Sequence, residues 1–72
     1  MAGRWDDMRA FLAVAKAPSI KQAAAQLGVT QSAVSKRVAR LEHDLGVTLF
    51  ERGPKGTKVT YQGERVLAHA LA

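Results

Sequence analysis

The stretch from Thr30 to Arg40, "TQSAVSKRVAR", concentrates hydrogen-bonding side chains and positive charge. Gln31, Ser32 and Ser35 supply short amide and hydroxyl groups, and Lys36, Arg37 and Arg40 follow them closely. These groups donate and accept hydrogen bonds and neutralise anions, but none is paired with a partner that would make it a reactive nucleophile. Their chemistry is recognition. Gln, Ser and Lys side chains hydrogen-bond base edges or phosphates, and an α-helix carrying them fits the DNA major groove when its leading side chains are short.

Other chemistries find little support. Ser35 and His43 would sit eight residues apart on one helix, more than two turns and out of reach of each other. No paired carboxylates share a face, and "RGPKG" has neither the spacing nor the trailing Lys-Ser/Thr of a phosphate-cradling loop. His43 and His69 are too few ligands for zinc, and there is no cysteine to add to them or to form a disulfide. Neither a metal nor any other cofactor is expected, and the chain does not read as an enzyme. The absence of cysteine fits a reducing cytoplasm.

With 72 residues the chain makes one small domain, of a size that buries only about 60% of its unfolded surface. Eleven basic residues oppose six acidic ones, net +5. Their distribution is uneven. Between Asp7 and Glu42 there is no acidic residue, while Arg9, Lys16, Lys21, Lys36, Arg37 and Arg40 fall there. A second acid-free stretch, Arg52 to Gly63, holds Arg52, Lys55 and Lys58. Such asymmetry favours a polyanionic partner. A membrane surface is the poorer choice, because "RGPKGTK" lacks an apolar face for insertion and the longest apolar run, Ala10 to Ala15, is far too short to span a bilayer. "AFLAVAKA" imitates a signal-peptide core, but Asp6 and Asp7 precede it where a basic segment would be needed.

The recognition groups need elements to hold them. Met8, Phe11, Leu12 and Ala15 fall at i, i+3, i+4 and i+7 and predict a first helix from Trp5 to Lys16, broken at Ala17-Pro18. Ser19 with Gln22 is a capping box opening a second, alanine-rich helix with Ile20, Ala23, Ala24 and Leu27 on one face. Gly28 suits a sharp reversal, Val29 can plug the core, and Thr30 is a good N-cap for the next helix. In that third helix Val34, Val38, Leu41 and Leu45 form a narrow apolar stripe, ended by Gly46. Two short strands, Val47 to Glu51 and Lys58 to Thr60, flank the turn-rich Gly53-Pro54-Lys55-Gly56 and predict a basic hairpin. From Thr60 the pattern is helical again, with Val66, Leu67, Ala70 and Leu71 apolar.

A helix, a tight glycine turn and a second helix with a small-polar and basic outer face describe a helix-turn-helix. A three-helix bundle with a solvated basic face would share part of this pattern, but the capped second helix, the charge placement and the basic hairpin favour the former. The string "FLAVAKAPSIKQAAAQLGVTQSAVSKRVARLEHDLGVTLFERGPKGTKVTYQGERVL" resembles the N-terminal DNA-binding domain of LysR-type transcriptional regulators. Four pieces occur in order: "F-x-A-V-A", "A-A-x-Q-L-x-V-T-Q-S-A-V-S", "L-E-x-x-L-G-V-x-L-F-E-R" and "T-x-x-G".

That resemblance implies a bacterial winged helix-turn-helix that binds an interrupted palindrome in double-stranded DNA as a homodimer. The fold class expected is mainly α, with a three-helix core, a short β-hairpin wing and the start of a linker helix; residues 1–60 would form the DNA-binding domain and 61–72 the linker. Recognition-helix contacts would come from Thr30, Gln31, Ser32, Ser35, Lys36, Arg37 and Arg40, and further contacts from Ser19 and Lys21 in the second helix and Arg52, Lys55 and Lys58 in the wing. Members often carry arginine where this chain has Lys36, a point donor in place of a bidentate one. Val66, Leu67, Ala70 and Leu71 would mediate dimerisation, weakly with so short a helix. In the family a large effector-binding domain follows the linker, so the chain is expected to be a DNA-binding fragment, cytoplasmic and nucleoid-associated when bound, with any small-molecule effector acting on the absent domain. The alternatives are a winged-helix regulator of the molybdate-responsive type and a winged-helix protein-interaction module. The expected core is Phe11, Leu12, Leu27, Val34, Val38, Leu41 and Phe50.

Overall fold

The computed structural model describes residues 4–71 apart from 18 and 55. Four helices and one antiparallel hairpin follow in the order α1 (Arg4–Lys16), α2 (Ile20–Leu27), α3 (Gln31–Leu45), β1 (Phe50–Gly53), β2 (Gly56–Val59) and α4 (Tyr61–Leu71). The architecture is the expected winged helix-turn-helix.

α1 begins with Asp6 and Asp7 in its first turn and has Lys16 in its last, charges that complement the helix dipole at both ends. It packs against both α2 and α3. Its buried side is Asp7, Ala10, Phe11 and Val14, one position round from the expected Met8, Phe11, Leu12 and Ala15. The run Ala10 to Ala15 is apolar on every side, so periodicity alone could not orient it. Asp7, only 1% exposed, is the residue that disguises the true face. Met8, Leu12 and Ala15 are half-buried.

The turn between α2 and α3 is built as the sequence predicts. Ser19 accepts from the Gln22 amide at 3.2 Å and Thr30 from the Ala33 amide at 3.0 Å, so each helix starts on a side-chain cap. Gly28 adopts φ 71°, and the Val29 amide bonds the Ala24 carbonyl at 3.0 Å. A residue with a Cβ would be strained at that φ. Ala23 and Ala24 are buried, and their small side chains let α2 lie close to its neighbours. Val34, Val38 and Leu41 of α3 are buried as expected, but Leu45 is 37% exposed. Leu27 and Phe50 are half-buried, though both pack against the core. A second cluster joins Phe11 and Leu41 to Leu49, which is fully buried, and the Phe11 and Phe50 rings lie 5.3 Å apart at 59°.

The strands differ from expectation. β1 starts at Phe50, not Val47, and β2 at Gly56, with Phe50 opposite Val59, Glu51 opposite Lys58, Arg52 opposite Thr57 and Gly53 opposite Gly56. Glu42 explains the late start. Its carboxylate accepts from the Leu49 amide at 2.7 Å and the Phe50 amide at 3.3 Å, so a side chain serves these backbone donors where a ladder partner would. The Leu49 carbonyl in turn accepts from the Thr60 amide at 2.9 Å.

Thr60 caps the start of α4: its Oγ1 accepts from the Gly63 amide at 2.9 Å and donates to the Thr48 carbonyl. At Gly63 a Cβ would lie 2.5 Å from the Leu49 carbonyl oxygen and 2.7 Å from Val59 Cγ1. This gives the "T-x-x-G" piece its physical reason: threonine caps, and glycine admits the hairpin. Among the described residues, no helix is long and apolar enough to cross a membrane.

Candidate nucleic-acid interface

Three elements converge on one shallow groove. Ser19, Ile20 and Lys21 line it from the start of α2, Gln31 from the start of α3, and Arg52, Gly53, Gly56 and Thr57 from the hairpin. Neither α2 nor α3 has an acidic residue in its first turn. The partial positive charge of both N-termini is therefore not offset locally, which favours an anion. Lys21 and Arg52 add full charges at the same place.

On α3 the leading side chains Thr30, Gln31, Ser32 and Lys36 are exposed, and Ser35 and Arg37 are half-buried. Gln31 and Ser35, four residues apart, form the strip nearest the hairpin. Ser32 and Lys36 form the next strip outward. An Arg52 Nη2 donates to Ser35 Oγ at 3.1 Å, joining the hairpin to α3. The register explains how it reaches. Phe50, Arg52, Thr57 and Val59 share the hairpin face that turns toward α3, while Glu51 and Lys58 share the opposite face. Lys58 thus stands beside Glu51, away from the groove. Lys55 lies outside the described residues.

Arg40 is placed differently from the other expected contacts. Its Nε donates to Asp7 Oδ2 at 2.8 Å and an Nη2 to Asp7 Oδ1 at 2.7 Å, a two-pronged pair with a buried carboxylate. Those hydrogen bonds first, and the attraction of the carboxylate charge second, push the Arg40 pKa above its usual value. The arginine side chain itself is 50% exposed. Its positive charge is already matched within the fold.

Val66 and Leu67 pack, half-buried, against the Phe11, Leu41 and Leu49 cluster. The side chains of Ala70 and Leu71 lie outside those described. Among the described residues no group of three or more His, Asp or Glu side chains is arranged to hold a metal ion. Sequence reasoning found Ser19, Lys21, Gln31 and Arg52 but missed Ile20 and Thr57 as lining residues. A register for the hairpin, readable only with its first strand correctly begun, would have found Thr57 opposite Arg52.

Residues 5–64 match the family described as bacterial regulatory helix-turn-helix protein, lysR family. The chain is 50% identical over 60 residues to the HTH-type transcriptional activator AmpR of Pseudomonas aeruginosa, covering 83% of this chain and 20% of that protein. It is 42% identical over 65 residues to the HTH-type transcriptional regulator DgdR of Burkholderia cepacia, covering 90% and 22%. The chain spans about a fifth of the length of these curated relatives. Among solved structures, the complex of the CbnR DNA-binding domain with DNA superposes with a TM-score of 0.87 at 36% identity, covering 93% of this chain and 77% of that one. The BenM DNA-binding domain on its catB site 1 DNA gives a TM-score of 0.85 at 33% identity, covering 92% and 74%.

Proposed function

Because this chain belongs to the lysR family of bacterial regulatory helix-turn-helix proteins, we propose that it binds double-stranded DNA sequence-specifically and so regulates transcription. The observation that carries the reading is the groove where Lys21, Arg52 and two helix N-termini free of acidic residues meet beside the exposed polar start of α3. A phosphate of the DNA backbone seats in that groove, and Gln31, Ser32, Ser35 and Lys36 then face base edges in the major groove. Two similar folds, those of CbnR and BenM, are known in complex with DNA, which supports the same use here.

Residues 1–60 act as the DNA-binding unit and 61–72 as the beginning of a linker that meets its counterpart on a second subunit across an interrupted palindrome. The role is binding without catalysis, carried out in the cytoplasm. No residue of this chain is assigned to an effector ligand.

Fluorescence anisotropy over a salt series tests this, using a duplex selected by the chain from a randomised pool and a random duplex of equal length. Each phosphate neutralised contributes about −0.9 to the slope of log affinity against log salt. A steep slope is expected on both duplexes, and a flat one overturns the reading. Gln31→Ala and Lys36→Ala should each cost about 1–3 kcal/mol on the selected duplex and much less on the random one. Equal losses on both would reduce these residues to backbone contacts.

A further inference from the structure

The hydrogen bond between Arg52 and Ser35 does more than brace the hairpin. Arginine has no acceptor, so in the 3.1 Å contact Ser35 Oγ must be the acceptor. A serine hydroxyl carries one proton and two lone pairs. With one lone pair held by Arg52, the proton is directed away from the guanidinium. Among the described residues, Ser35 makes no other side-chain hydrogen bond. Ser35 stands one turn after Gln31 and lines, half-buried, the cleft between α3 and the hairpin with Arg52 and Thr57, and its proton is left for an acceptor brought up beside the start of α3.

We propose that Arg52 is a positioning residue for Ser35: it fixes the hydroxyl as a hydrogen-bond donor toward a base-edge acceptor, so that a hairpin residue sets part of the sequence specificity of α3. The proposal rests on the DNA-binding reading above. It assigns Arg52 two roles at once. One arm of the guanidinium holds Ser35, and the same residue lines the groove shared with Lys21 and Gln31. An arginine serving only as a phosphate contact would strengthen binding to every sequence alike. An arginine that orients Ser35 also raises the preference for the selected sequence over a random one. In the second case the losses from the two residues are not independent, because they are in direct contact.

A double-mutant cycle on the whole chain decides between these roles. Wild type, Ser35→Ala, Arg52→Ala and the double variant are each titrated against the selected and the random duplex, below the melting temperature of the least stable of the four. Both residues lie outside the buried core, and circular dichroism verifies the helical content of each variant. Expected is a fall of about tenfold in the selected-to-random affinity ratio for Ser35→Ala in the wild-type background. The same substitution should change the ratio less than about twofold once Arg52 is alanine. Arg52→Ala alone should lower the ratio and also weaken binding to the random duplex. If Arg52→Ala weakens both duplexes by one factor, and the Ser35→Ala loss is the same in either background, the positioning role is wrong and Arg52 is a phosphate contact alone. Failure of the wild type to bind either duplex would instead overturn the DNA-binding reading, and this proposal with it.

Discussion

Arg40 illustrates how a side chain of the expected type can be committed elsewhere. Its guanidinium grips both oxygens of Asp7, which is 1% exposed. A buried carboxylate left without its partner is strongly unfavourable, so the pair resists separation once formed. The charge that Arg40 would bring to DNA is offset in place. Arg40→Ala is therefore expected to lower the melting temperature while leaving the salt slope of DNA binding nearly unchanged. Lys21→Ala should do the reverse, with little thermal effect and a slope shallower by roughly 0.9. Thermal melting alongside a salt titration of both variants checks this, and a shallower slope for Arg40→Ala would place that residue on phosphate after all. Nothing in the sequence announced the pair. Asp7 and Arg40 are 33 positions apart, and each looks solvated when only its neighbours are considered. Gln31, Lys21 and Arg52 were legible because their types and their places beside caps and turns carry the signal.

Among the elements, α2 and α3 were legible almost to the residue. Ser19, Gly28, Thr30 and Gly46 act locally, through their own hydroxyls and backbone angles. The face of α1 and the start of β1 were not, because both depend on distant partners: Arg40 in one case, the Glu42 carboxylate in the other. α4 joins the hairpin through Thr60 and Gly63, and both can be tested. Gly63→Ala puts a methyl within 2.5 Å of the Leu49 carbonyl oxygen and 2.7 Å of Val59 Cγ1. The backbone atom cannot turn aside as a flexible side chain would. Overpacking of this kind costs about 1–3 kcal/mol, so the melting temperature of so small a domain should fall by at least about 5 °C. Thr60→Ala, losing a cap, should cost about 1 kcal/mol, and Thr60→Ser should recover most of it. Chemical denaturation of the three variants measures these values; a neutral Gly63→Ala would mean that α4 does not approach the hairpin so closely.

At the scale of the whole molecule, the fold was legible because helical spacing, caps and the basic hairpin agree with one another, and agreement across levels is what singles out one structure. The association state was less so, since periodicity does not say which molecule covers an apolar stripe. Val66 and Leu67 are half-buried against this chain's own Phe11, Leu41 and Leu49. Less of the stripe is then left for a second subunit. Sedimentation of the free chain should show a monomer or a weakly associating dimer. On DNA carrying two half-sites, binding should be cooperative, because neighbouring sites raise the effective concentration of one subunit for the other. A tight dimer at nanomolar concentration, or independent filling of the two half-sites, would contradict this.

The seat of Gly63 ties α4 closely to the hairpin. That residue rests against the Leu49 carbonyl just ahead of β1 and the Val59 side chain at the end of β2, so both arms of the hairpin bear on one turn of helix. Thr60 pins the same turn to Thr48. On the proposed reading of α4 as a linker, a change in its direction would therefore act on the base of the hairpin. The angle at which two such helices cross would then fix how far apart, and at what pitch, two hairpins can grip a duplex.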